Sequence, residues 1–532
     1  MRASSVGLAF VALAASCAHP QTALRPEKSV APTPSAMPSA SKSAALDYTA
    51  TFDSLFARID RLHVFAAAVK PLWPEREAQL RAEARTVSTR EEALVVLAHV
   101  QAALGDRHCY LTPPSDLRPK GLSLGVSLFA ERSGGEPRVR IDEVLDSTLH
   151  DVAEGDEVVA IDGVPLKDWL AAHPFESNSL NSEVALSDQV QAIVTARLPF
   201  TRVREGDARR LVVRRGGVER TVELHFAPPS RWESHDEESL DDAPPMSSVL
   251  CRSDKRPLYD GFELAGVGQN VCVYRPTTGD RSTRLVRYVS FAYGQGSSDD
   301  QLRAAKADHD FLLRELKGAK AVVLDVHENH GGNNPFVFLS WFANRPWDHQ
   351  QVHVRVAPEL SEDEVRQVMF GDTTLTRRYV EAQKAGATEL AYPFLCVENK
   401  TKVLSGTCDA RGPRPTEQVT TAPVAIVTGP ECVSSCDSLT ADWAAFSLGP
   451  VVGRQPAHGF TTTRYAFSVM GPDGRDLGLF RLALSWEAFP RSRTPLEGSA
   501  VKLDVTLPST FESRHTWVRD AVAEARRRLE KR

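Results

Sequence analysis

At 532 residues the chain is too long for one ordinary core, and two or three domains are expected. Hydrophobic residues at 42% and charged residues at 25% are the values of a soluble globular protein. The formal net charge of -6 leaves no basic excess to neutralise phosphates, which argues against DNA or RNA as a partner.

Taken in chain order, the first element is an address. Arg2 precedes an apolar run from Val6 to Ala15, too short to span a bilayer and suited to the core of a signal peptide. The stretch Leu13-Ala14-Ala15-Ser16-Cys17 resembles a bacterial lipobox, with Ala14 where leucine is more usual. That resemblance implies lipidation of Cys17, residues 1–17 as a lipoprotein signal, and an extracytoplasmic, membrane-anchored setting. Residues 18–45 are rich in Pro, Ala, Ser and Thr, a composition that builds no core and serves as a tether.

Export permits disulfides. Cys251 with Cys272 and Cys396 with Cys408 lie close enough in sequence to close short loops, which leaves Cys109, Cys432 and Cys436 as an odd set. Connectivity is open at this stage. No Cys/His spacing has the form of a zinc site, so neither a metal nor a cofactor is expected.

From 46 to 115 apolar residues recur at three- and four-residue steps (Phe52, Leu55, Phe56, Ile59, Leu62; then Ala93, Leu94, Leu97, Val100), which predicts amphipathic helices. Gly105 terminates the last of these and presents His108 on the following turn. From 116 to 228 the pattern turns to short strands separated by Gly and Asp turns, such as Arg138–Ile141 and Val158–Ile161. The segment Glu154-Gly155-Asp156 through Val164-Pro165-Leu166, with later strands at Leu211–Gly217 and Thr221–Phe226, resembles a PDZ domain carrying an insertion around Phe175 to Asp207. PDZ domains add an extended peptide to a sheet edge and often capture its terminal carboxylate. A connector at 229–280 leads to 281–532, where strand and helix patterns alternate in the manner of an α/β layered domain, with an insert near 350–420.

Two strand ends carry chemistry-bearing residues, the position at which open α/β sheets place their sites. Asp325-Val326-His327-Glu328-Asn329-His330-Gly331-Gly332 follows a buried strand into paired glycines, which let backbone N–H groups approach a developing negative charge. After the run Val424–Val427, Ser434 stands at the start of a predicted helix through Ala445, where exposed N–H groups and the helix dipole favour negative charge. A helix N-cap is the alternative role for such a serine.

These segments together resemble the tail-specific, C-terminal processing serine peptidase family and its tricorn-core-like branch. In that family a helical region, a PDZ domain and a crotonase-like α/β core occur in this order. The core strand ends in Asp-x-Arg-x-Asn-x-Gly-Gly, and the nucleophile segment has the form Ser-Ala-Ser/Ala-Glu. Here His327 replaces the arginine, and Ser434-Ser435-Cys436-Asp437 ends in aspartate. The resemblance implies a multidomain α/β fold and an acyl-enzyme on Ser434. It also implies oxyanion donors at the N–H of Ser435 and of Gly331 or Gly332, and peptide or protein substrates. No lysine lies between Ser434 and Lys502, so a Ser-Lys dyad is not expected. The tricorn-like segments Asp106-Arg107-His108 and Leu496-Glu497-Gly498 imply His108 as general base, oriented by Glu497. His458, in the stretch where the lysine would fall, is the alternative base. A catalytically inactive envelope protein that binds peptides is the alternative function, motivated by the missing lysine, Asp437 and the cysteines flanking Ser434. An esterase or acyl transferase on the same core is the third.

Overall fold

The computed structural model describes residues 46–65, 69–118, 120–133, 135–229, 251, 259–279, 281–293, 298–332, 335–345, 350–369, 371–393, 418–459, 464–489 and 492–531. Cys17, the tether, the Cys396/Cys408 pair and most of the connector lie outside them. No helix among the described residues is long and apolar enough to cross a membrane.

Near the N-terminus, helices Thr49–Leu62, Trp73–Ala84 and Arg90–Ala103 follow the apolar spacing. The third is fixed at its start by a capping box, in which Thr89 accepts from the Glu92 N–H and Glu92 accepts from the Thr89 N–H. Their apolar faces do not close on a core of their own. Phe52, Phe56, Leu94 and Leu97 belong to one continuous cluster with Val286, Val322 and Ile426 of the central sheet.

That sheet has seven strands, in the order Phe262–Val267, Val271–Pro276, Thr283–Tyr288, Ala321–Asp325, Val424–Thr428, Val451–Gly453 and Val505–Thr506. The first three pair antiparallel, and from Thr283–Tyr288 onward the pairing is parallel. Alternate side chains of one strand serve opposite faces: Val322 and Leu324 enter the larger core, whereas Val323 packs with Trp517, Ala521 and Ala525 of the helix Trp517–Glu530. Both faces are covered, which is why these strands read as unbroken apolar runs rather than as alternation. A helix, Ser298–Glu315, follows the third strand.

A second sheet has its own core. Strands Val126–Ser133, Glu136–Val144, Glu157–Ile161, Ala208–Arg215 and Val218–His225 pair antiparallel in that order. Within the stretch read as an insertion, Ser182–Val194 forms a helix that supplies Leu186, Val190, Ile193 and Val194 to this core. Its N-cap Asn181 accepts from the Glu183 and Val184 N–H groups, and its side-chain amide donates to the carbonyls of Gln455 and Pro456. The helix start is thereby tied to the loop beside Ser434.

Candidate active site

Ser434 ends the loop that joins strand Val424–Thr428 to helix Ser435–Ala445, and it adopts φ 62°, ψ -122°. A non-glycine residue in that region is strained, and surrounding bonds must hold it there. Several are present. The Ser434 N–H faces both the Gly459 carbonyl at 3.0 Å and Asp437 Oδ2 at 3.1 Å. Asp437, fully buried, also accepts from the His458 N–H at 3.0 Å and the Gly459 N–H at 3.0 Å. A disulfide joins Cys432 to Cys436 across the serine, and a second joins Cys251 to Cys272. The odd set of three cysteines thus resolves into the Cys432–Cys436 bridge and the buried thiol of Cys109.

Burial pushes the Asp437 carboxyl up from 3.8 to about 7, against the opposing pull of its three N–H donors. Its folded value lies above its unfolded one, so the native state binds the extra proton between about pH 4 and 7. The stability this group contributes is present below that window and is lost as pH rises through it, on the order of 1.4 kcal/mol per pH unit. Melting temperatures of the wild type and Asp437→Asn, followed from pH 4 to 8, are expected to converge or cross as the wild type loses ground. A constant difference across that range would contradict the assignment.

His108 reaches the serine from a segment 326 residues away, with Nε2 at 3.1 Å from Ser434 Oγ. Its turn is built locally. Gly105 takes φ 61°, a conformation costly for a side chain, and a Cβ there would lie 2.7 Å from Val69. Asp106 Oδ1 then accepts the His108 N–H at 2.7 Å, and the short strand Tyr110–Thr112 ties the turn to Asp476–Ala483. Asp106 Oδ1 also lies 3.8 Å from His108 Nδ1, too far for a hydrogen bond. The sequence places Asp106 beside His108 but assigns it no role. Its signal is the Asx pattern, an aspartate two residues before the histidine whose N–H it accepts.

Glu497 is buried at 8% exposure. Both its neighbour Gly498 and Gly105 abut Leu180, so the Glu497 segment and the His108 turn border the same side chain. His458 points elsewhere: Nε2 meets Gln455 Oε1 at 3.2 Å, and burial pushes the ring down to about 4.

On the facing loop, the Gly331 N–H donates to Asn329 Oδ1 at 2.8 Å, and Gly331 takes φ 80° with its Cα turned to the nucleophile loop. That N–H is therefore engaged, which among the expected oxyanion donors shifts the weight to Gly332 and Ser435. Behind the loop, His327 stands where the resemblance has arginine. Although burial opposes it, the carboxylates of Asp325 and Glu328 raise the ring to about 10, so an imidazolium supplies the positive charge. Tyr259 donates to Asp325, and Arg287 pairs with Glu328.

No protein-family model matches this chain, and no curated protein sequence matches it. Solved structures do. Mature CPAF superposes with a TM-score of 0.63 at 15% identity, covering 91% of this chain and 96% of the other. Mature CPAF complexed with lactacystin gives 0.62 at 15% identity over 91% and 97%. At these identities the likeness concerns architecture, and over nine-tenths of its length this chain has the fold of mature CPAF.

Proposed function

We propose that the protein is a serine peptidase of the tail-specific, C-terminal processing type, which hydrolyses peptide bonds through an acyl-enzyme on Ser434. The observation that carries this reading is the 3.1 Å approach of His108 Nε2 to Ser434 Oγ. In the proposed reaction Ser434 Oγ attacks the scissile carbonyl while His108 Nε2 takes its proton. The oxyanion forms against the Ser435 N–H at the helix start, with Gly332 as the second donor position. His108 then returns the proton to the leaving amine, and a water deprotonated by the same ring cleaves the ester. Glu497 is assigned as the carboxylate that orients the ring, and Asp106 fixes the turn that carries it.

The sheet spanning 126–225 is assigned as a PDZ-like module that engages peptide C-termini by strand addition. The N-terminal segment is assigned as an export signal, with Cys17 as its lipidation site in the cell envelope. The test is digestion of an unfolded protein substrate with mass-spectrometric mapping of new termini. Internal cleavages are expected from the wild type and none from Ser434→Ala. Ester hydrolysis without peptide cleavage would favour an esterase, and retention of C-terminal peptides without any hydrolysis would favour the inactive peptide-binding reading.

A further inference from the structure

Beneath His108 lies a group of side chains that the proposed hydrolysis does not require as a set. His63, Asp106 and Cys109 each offer one ligand atom, all three atoms lie within 4.8 Å of one another, and all three residues are buried. His63 is 0% exposed, and neither of its ring nitrogens has a hydrogen-bond partner among the described residues. Its Nε2 is turned into the group, 3.9 Å from Asp106 Oδ2. Phe65 packs edge-on against the ring at 4.6 Å, and Arg355 fixes the backbone by donating to the His63 carbonyl at 2.8 Å. A buried imidazole without a partner is costly, and a cation between the three residues would satisfy it.

The donor set fits one class of ion. Imidazole, thiolate and carboxylate together suit zinc, and a thiolate plus a carboxylate carry two negative charges, which a divalent cation neutralises. Ligand atoms of a tetrahedral zinc site are about 3.5 Å apart, so the group needs to contract by about 1 Å. The Ala483 N–H points at Cys109 Sγ at 3.3 Å and fixes where that sulfur sits. The fourth position is left for a water. Spacing along the chain does not reveal this set, because His63 comes from the end of one helix and the other two from the turn after another.

We infer that His63, Asp106 and Cys109 form a binding site for a zinc-class divalent cation, whose occupancy takes hold of Asp106 and thereby displaces His108 from Ser434. The ion site rests on its own geometry; the coupling rests on the hydrolase reading. Asp106 is the shared element, since it faces His63 through Oδ2 and His108 through Oδ1.

Cobalt(II) titration of the full chain tests the site by absorption. Binding at one ion per chain with a thiolate-to-cobalt charge-transfer band is expected, with the band absent and affinity at least about tenfold weaker in Cys109→Ser. His63→Ala serves as the second variant, so that a folding failure in either does not decide the matter. No band in the wild type, or an equal band in Cys109→Ser, overturns the site. Zinc is expected to slow labelling of Ser434 by a serine-directed probe in the wild type by about tenfold and to leave Cys109→Ser unchanged. A full cobalt band with labelling unaffected overturns the coupling. If the metal-free wild type takes no label at all, the hydrolase reading has failed, and the cobalt band still decides the ion site.

Discussion

His108→Ala is expected to lower kcat/KM by about a million-fold while leaving the melting temperature within a few degrees. His108 is 8% exposed, and its ring nitrogen stands 3.1 Å from Ser434 Oγ. Without it the serine hydroxyl has no base, and what survives is binding and oxyanion stabilisation alone. The control is His458→Asn, because residue 458 takes φ 60° and asparagine tolerates that conformation better than alanine. His458 faces Gln455, and burial holds the ring at about 4, too weak a base for neutral pH. Its loss is expected to cost no more than about tenfold. Steady-state kinetics on a peptide substrate decide between them. Full activity in His108→Ala with none in His458→Asn would transfer the role of base to His458.

Gly331→Ala is the second change with a large expected effect. A Cβ at 331 would sit 2.5 Å from the Val433 carbonyl oxygen, 2.9 Å from Ser434 Cβ and 2.9 Å from the Ser435 nitrogen, on a backbone at φ 80°. No flexible side-chain end can yield there, because the atoms met are backbone and the nucleophile's own Cβ. The serine loop must therefore move, and with it the 3.1 Å contact to His108 and the Ser435 N–H. Loss of about 100- to 1,000-fold in kcat is expected, comparable to removal of an oxyanion donor. The strain at φ > 0 adds about 1–2 kcal/mol of destabilisation. Stability measured in parallel separates the two effects. Wild-type kcat in Gly331→Ala would show that the loop does not limit the position of Ser434.

Much of this arrangement was legible in the sequence wherever one segment sufficed. The run Ala321–Asp325 is a strand buried on both faces, and Ser434 stands at a strand-to-helix junction. What the sequence concealed depends on contacts between distant segments. Asp437 gathers N–H groups from residues 434, 458 and 459, and nothing in Ser434-Ser435-Cys436-Asp437 announces the last two. Helix Ser182–Val194 had the look of an inserted stretch because its apolar face is defined only by the sheet it covers. The amphipathic helices at 49–103 suggested a separate unit, yet an amphipathic face does not state which core it joins, and here it joins the central sheet's. His327 looked like a lost arginine, whereas its position between Asp325 and Glu328 retains the charge that arginine would bring.

The oxyanion side was legible only in outline. Paired glycines at 331 and 332 marked a close backbone approach, but not which N–H was already taken. Asn329 Oδ1 engages that of Gly331 and so fixes the loop from behind. Asn329 is fully buried, and its amide donates to the Tyr288 carbonyl at 2.9 Å, so one side chain spans the third sheet strand and the glycine turn. That bridge explains why an asparagine two residues before a glycine pair matters here: it positions the backbone that presses on the Ser434 loop.

The most direct measurement is reaction of the purified, folded protein with a fluorophosphonate, followed by mass-spectrometric location of the adduct. An activated serine predicts one adduct per chain, on Ser434, absent in Ser434→Ala and strongly slowed in His108→Ala. A folded wild type that takes no label, or a label that persists in Ser434→Ala, would contradict the assignment of Ser434 as nucleophile.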